Sequence, residues 1–376
     1  MSSDLRPSEA VMNRFPPLST SWSALKALLV APLTVALVLL GGCTKKNSDA
    51  QGDGATKEVS LAIWANYLSP EMQEKFTKET GIRLKISNYS SSEELLAKAQ
   101  AGAAGIDVAV PSDYMVGVMA KTGLLLPLDA TKIPNKAGLD PAVLSREFDP
   151  ENKFSLPYSW IITGIAINRD LFKGSVRSWK DLFTNKELAG KFSLLDDVRE
   201  VTAAALRVHG YSVNTTNPEE LKKAEATLKE VRSRVKMFTS DVIDPLVKKE
   251  VAVAQGYSSD VLQAARNSGG KVEFVLPEDG GTRAIDSLVI LKGSKNVEAA
   301  HALINFLLSP EVNASFVKQM MGGPVVVKAK DFLPAELKVN AFLYPPAGSI
   351  TKFEYLHDVG EATRLYDRLW TEVRAQ

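Results

Sequence analysis

The sequence predicts an α/β protein with room for two domains. Three observations carry this. The chain has 376 residues, and its 45% apolar content is that of an ordinary globular protein. From Val59 onward, short apolar runs alternate with helix signals in the order strand, helix, strand, helix, strand, which implies parallel pairing through right-handed crossovers. A second alternating series starts near Ile161.

The elements follow in order. Val59–Ile63 (VSLAI) reads as a strand. Ser69-Pro70-Glu71 then opens a helix, with a capping serine, proline at the first position and an acid in the first turn. Gly81 closes it. Arg83–Tyr89 returns as a strand. Ser91 and Glu94 have capping-box spacing before a helix that runs to about Gly102. Asp107–Val110 is a short buried strand. In the second series, Ile161–Asn168 and Lys191–Leu195 read as strands. Pro218–Val235 carries Leu221, Ala224, Leu228 and Val231 at helical spacing. Val251–Ala254, Val272–Leu276 and Ser287–Leu291 are further apolar runs. Val297–Leu308 is an apolar helix, Pro310-Glu311 starts another, and an amphipathic helix is expected after Gly360.

Composition excludes several classes. A formal charge of +1 does not suit a protein built to coat nucleic acid or an anionic membrane. One cysteine, Cys43, permits neither an internal disulfide framework nor a cysteine metal cluster. That cysteine ends an N-terminal segment. Ala27–Gly42 is apolar, follows Lys26 and is broken by Pro32, so residues 1–42 read as a secretory signal rather than a spanning helix. Its LGGC ending resembles the lipobox of bacterial lipoproteins, which implies cleavage before Cys43 and acylation of its sulfur. Residues 43–56 are polar and read as a flexible tether. The body is therefore expected outside the cytoplasmic membrane, held there by lipid.

In open α/β sheets, ligands sit at the carboxyl ends of strands. Polar or aromatic clusters follow three of the expected strands: Trp64 to Tyr67 after Ile63, Pro111 to Tyr114 after Val110, and Asp196-Asp197 after Leu195.

These residues carry a resemblance. FTKETGI (Phe76–Ile82), DVAVPSDY (Asp107–Tyr114), LPYSW (Leu156–Trp160), SWKDLF (Ser178–Phe183), DDVREV (Asp196–Val201), NTTNPEEL (Asn214–Leu221), DSLVI, INFLLSPEV and HDVG occur in order from about Lys57 to Arg374. The chain resembles the periplasmic spermidine/putrescine-binding proteins of bacterial ABC importers. The resemblance implies a two-lobed periplasmic binding protein fold, type II-like, whose lobes are joined by crossing strands around a ligand cleft. Carried over, lobe one is 57–160 plus 287–329, and lobe two is 161–286 plus 330–376. It also implies a monomer that delivers a small cationic amine to an ABC permease and ATPase, without cofactor, metal or nucleic acid.

A polyamine needs carboxylates for its ammonium groups and aromatic faces for its methylenes. The positions that match the family's contacts supply both. Trp64, Tyr67 and Tyr114 would wall the chain, with Tyr257 where relatives carry tryptophan. Ser112 and Asp113 would face the ligand from one loop. Asp197, Glu200 and Asp286 would meet ammonium groups. The bland alternatives are that Asp197 caps a helix, that Trp160 and Trp179 are core, and that Arg283 is a solvated arginine. There are departures as well. Ala284 stands where relatives have an aromatic, Gly322-Gly323 where a tyrosine is common, and Leu356 where glutamine is expected. A different amine, or one bearing an acid group, is thus a second reading. A ferric-ion receptor and a signalling receptor are others. No enzyme motif is present: GYSSD (Gly256–Asp260) lacks the last glycine of a nucleophile elbow.

Overall fold

The computed structural model describes residues 57–375, apart from 66, 90, 103, 104 and 347. The signal segment, the tether and Cys43 lie outside the described residues.

β1 (Glu58–Ile63), α1 (Pro70–Thr80), β2 (Arg83–Asn88), α2 (Ser92–Gln100) and β3 (Val108–Ala109) alternate as expected. β1 pairs in parallel with β2 and with β3. Ser69 accepts the Met72 amide at the start of α1, and Gly81 ends it at φ 68°, a left-handed conformation that suits glycine. Ser91 likewise caps α2 through the Glu94 amide. The PSDY block turns at once into α3 (Asp113–Lys121), where the sequence suggested only a loop. β4 (Leu125–Leu126) follows.

β5 (Ser155–Asn168) then runs for 14 residues. It is longer than the IITGIAIN run because LPYSW continues it. After it come α4 (Trp179–Thr184), β6 (Phe192–Leu194), α5 (Val198–Val208), α6 (Pro218–Arg232), β7 (Val235–Phe238), α7 (Ile243–Val247), β8 (Val253–Tyr257), α8 (Ser258–Asn267) and β9 (Val272–Val275). β10 (Gly281–Leu291) returns, and α9 (Val297–Leu307), α10 (Pro310–Met320), α11 (Ala335–Lys338), β11 (Phe353–Tyr355) and α12 (Thr363–Arg374) complete the order.

β5 and β10 decide the architecture. β5 enters one core with Leu156 and Tyr158 and a second with Ile165 and Ile167. β10 comes back with Ile285, Leu288 and Ile290 in the first core. One strand leaves the first body and the other returns, so they must pair antiparallel, from Arg283 opposite Ile162 to Val289 opposite Ser155. The sheet is therefore mixed rather than wholly parallel. Beyond the shared pair, β5 continues against β8 and β9. The first core also takes in Leu333 and Leu343, so the chain stays with the first body past α10. Tyr366, Leu369 and Val373 of α12 seal the second.

The two tryptophans with core alternatives behave differently. Trp179 is fully buried and donates to the Gly280 carbonyl at 2.8 Å. Trp160, on β5, lies over Gly323, so close that a Cβ there would stand 2.1 Å from its ring. The space a side chain would need at Gly323 is taken by this indole. Gly323→Ala is therefore expected to cost roughly 1–3 kcal/mol through overpacking, read as a lower midpoint in thermal melts. An unchanged midpoint would mean that the two do not pack closely in solution.

Candidate functional site

The proposed contacts come from the carboxyl ends of β1, β3, β6 and β8 and the first turns of the helices α3 and α5 that follow β3 and β6, plus one position on β10. Asp286 is the meeting point of the first body. Ser112 donates to its Oδ1 at 2.7 Å and Tyr67 to its Oδ2 at 2.9 Å. It is 3% exposed, and burial pushes its carboxyl up to about 6 despite these bonds. A register shift between Asp286 and Ser287, with Pro157 opposite, re-aims the strand here.

Asp113, the neighbour of Ser112, is placed differently. It is 1% exposed; its Oδ1 accepts the Tyr114 amide and its Oδ2 the Ile285 amide. It staples α3 to β10, and burial pushes it up to about 8. Its contribution to the site is the position of Ser112 and Tyr114 rather than a free carboxylate edge. Trp64 donates to the Val110 carbonyl and meets the Tyr89 ring edge-on at 4.6 Å. The hydroxyl of Tyr114 donates to Glu93 at 2.9 Å.

In the second body, Asp197 does two things at once. Its Oδ1 accepts the Arg199 and Glu200 amides, so it is the N-cap of α5. Its Oδ2 is left to face the Tyr257 hydroxyl at 3.5 Å. The capping role expected as the alternative for Asp197 is met through Oδ1, and Oδ2 is not used by the cap. Burial holds Asp197 above the usual carboxylate range, against the two amide bonds that lower it. Glu200 is 5% exposed and accepts from Thr282 of β10 at 2.5 Å. Burial, and then the Asp197 charge, push it up to about 7. Asp196, outside the expected set, points away and pairs with Arg374.

Three residues that sequence reasoning missed join the site. Thr282 stands four positions before Asp286 on β10, on the same strand face. Glu93 bonds Tyr114, and its charge raises Asp197. Asp260 is pushed up to about 6 by burial, and its charge raises both Tyr67 and Tyr257. The available signals were positional: Glu93 lies in the first turn of α2 and Asp260 in the first turn of α8, both facing strand ends.

The electrostatics are one-sided. Among the described residues, none of Asp113, Asp197, Glu200, Asp260 and Asp286 has an ion-pair partner. Arg199, the nearest cation in sequence, is turned elsewhere: it donates to the His357 carbonyl and to Asn214, and stacks 4.7 Å over Tyr366. Burying like charges together without a counter-ion raises all of their proton affinities. A proton on these carboxyls or a cation bound among them relieves this. No cluster of three or more His, Cys, Asp or Glu among the described residues could hold a metal ion. Aromatic walls beside the acids suit an organic ammonium.

Comparison with known proteins agrees with this chemistry. The model of the bacterial extracellular solute-binding protein family matches residues 71–341. The spermidine/putrescine-binding periplasmic protein of Salmonella typhimurium is 39% identical over 316 residues, covering 83% of this chain and 90% of that protein. Two solved structures cover 85% of this chain at 29% identity. One is a spermidine/putrescine ABC transporter substrate-binding protein from Streptococcus pneumoniae, with a TM-score of 0.78 and 99% of its own chain covered. The other is a lipoprotein of Treponema pallidum, with a TM-score of 0.79 and 100% covered.

Proposed function

The chain belongs to the bacterial extracellular solute-binding proteins, and from that premise we propose that it captures a polyamine of the spermidine/putrescine class between its two bodies and delivers it to an ABC permease. The observation that carries this reading is the set of buried carboxylates with no ion-pair partner among the described residues, Arg199 acting on Asp197 and Glu200 only through its charge. Each ammonium group of the ligand replaces a missing positive charge. The aromatic rings of Trp64, Tyr67, Tyr114 and Tyr257 cover the methylenes between. Asp197, Glu200 and Asp286 meet the ammoniums, and Ser112 holds Asp286 in place. Binding, not turnover, is the activity: no step here calls for a nucleophile or a proton relay.

Closure is coupled to the ligand by the same groups. Glu200 and Asp197 belong to the second body, Asp286 and Tyr67 to the first. A polyamine that touches both sets favours the closed arrangement, which a permease can then recognise. Acylation of Cys43 would hold the monomeric body at the membrane through residues 43–56.

Calorimetric titration of the protein, refolded free of amine, with putrescine, spermidine and spermine tests the reading. Saturable one-to-one binding at micromolar concentration or better, about −8 kcal/mol, is expected for at least one of them. Ala284 leaves a methyl where relatives have a ring, so the ranking by length is expected to change in Ala284→Trp. Failure of all three amines to bind would sink the polyamine assignment.

A further inference from the structure

An α-helix leaves its last four carbonyls without partners of its own. In α10 these belong to Val317, Lys318, Gln319 and Met320. The amide of Met321 takes the Val317 carbonyl, and Met321 turns left-handed at φ 57° to end the helix. Side chains of α8 take the other three. Arg266 donates from Nη1 to the Lys318 carbonyl at 2.8 Å and from Nη2 to the Gln319 carbonyl at 3.3 Å. Gln263 donates from Nε2 to the Met320 carbonyl at 3.1 Å. A cation at a helix C-terminus also meets the negative end of the helix dipole.

These bonds cross from one body to the other. α10 places Val312, Ala314, Phe316 and Val317 in the first core, while α8 places Val261 and Ala264 in the second. Both helices also support the amine site. Tyr257 is the N-cap of α8 and Asp260 lies in its first turn, so Gln263 and Arg266 sit on the same rod as these two. On the other side, Phe316 of α10 meets the ring of Tyr67 edge-on at 5.1 Å. Arg266 is exposed and has no ion-pair partner among the described residues. Water can therefore replace it on the carbonyls when the bodies part.

We propose that Arg266, with Gln263 beside it, is a positioning residue of the amine site: it touches no ligand, and it raises amine affinity by bonding the end of α10 only while the two bodies are closed. This rests on the amine reading above and adds to it the contact that holds the closed form. In the parted arrangement water satisfies the three carbonyls, so the bonds add to the closed side of the equilibrium alone. The ligand gains from them without meeting them, as slower release rather than faster capture.

Calorimetry, stopped-flow release, thermal melting and X-ray scattering of Arg266→Gln, Arg266→Lys and Gln263→Ala beside wild type test this. Arg266→Gln is expected to bind putrescine or spermidine about three- to tenfold more weakly. The change should lie in the release rate, with the ligand-free melting midpoint kept. Arg266→Lys keeps the charge at the helix end but not the fork of two bonds, so it should recover part of the affinity. Gln263→Ala should lose less than Arg266→Gln, since its bond is uncharged. Wild-type affinity in Arg266→Gln overturns the proposal. If its ligand-free midpoint has then fallen, α8 and α10 stay bonded whether the bodies are closed or parted. Failure of wild type to bind either amine is instead a failure of the amine reading. The latch is then decided by scattering from protein isolated without refolding, with whatever it carries. A larger radius of gyration in Arg266→Gln than in wild type supports it, and an equal one overturns it.

Discussion

Asp197→Asn is expected to bind polyamine on the order of ten- to a hundredfold more weakly while the ligand-free protein keeps its thermal stability. The two halves of this result separate the two jobs of one side chain. A charge-assisted hydrogen bond contributes roughly 1.5–3 kcal/mol, and the amide that replaces the carboxylate cannot supply it. The cap survives, because Asn serves at an N-cap about as well as Asp, and its Oδ1 can still accept the Arg199 and Glu200 amides. Stability is even expected to rise slightly at neutral pH, since a buried charge without a partner has been removed. Asp197→Ala is the control. It loses the cap as well, about 1 kcal/mol, and so should melt lower besides binding weakly. Titration and melting of the two variants beside wild type check this. Wild-type affinity in Asp197→Asn would reduce Asp197 to a capping residue.

The second large effect concerns pH. Glu200 is raised to about 7 and Asp286 to about 6 in the folded, ligand-free protein, each chiefly by burial. A carboxyl whose folded value lies above its unfolded value binds more protons when folded. Stability must then fall as pH rises through the window from about 4 to about 7, the reverse of the usual salt-bridged carboxylate. Ligand-free protein is thus expected to melt higher at pH 5 than at pH 8 by an amount to which these two groups contribute on the order of a few kcal/mol. Polyamine acts against the trend. Its ammoniums favour the ionised carboxylates, so the melting shift it produces should grow from pH 5 to pH 8. Binding between pH 6 and 7 should release protons, visible as a buffer-dependent heat. Glu200→Gln removes the group with the higher of these two values and should flatten the ligand-free profile. A wild-type profile that is flat from pH 5 to 8, or a Glu200→Gln profile with the same slope, would mean that these acids stay hydrated when the cleft is empty.

In the structure the charge of Glu93 bears on Asp197 across the site. Without a cation this is repulsion in a low dielectric, and with one it is attraction.

Much was decided by sequence alone, and the reasons are local. Ser69, Pro70 and Gly81 fix the ends of α1 through caps and φ preferences, which need no tertiary partner. The 3.6-residue spacing of Leu221, Ala224, Leu228 and Val231 marks the buried face of α6 in the same way. The blocks that match the solute-binding family gave the candidate residues, and the end of each short strand told which side of the sheet they would serve. The tertiary structure decided what local signals do not carry. LPYSW and IITGIAIN proved to be one strand because two cores, far apart in sequence, each bury half of it. Asp113 and Asp286 look alike as letters. Only the amide of Ile285, 172 positions away, turns Asp113 inward as a staple. Arg283 reads as a solvated loop residue until strand pairing puts Tyr355 beneath it and a cavity beside it. Sequence sets which groups are present and how the backbone begins and ends its turns. Which charges are left without partners depends on what is buried next to what, and that is a property of the folded chain.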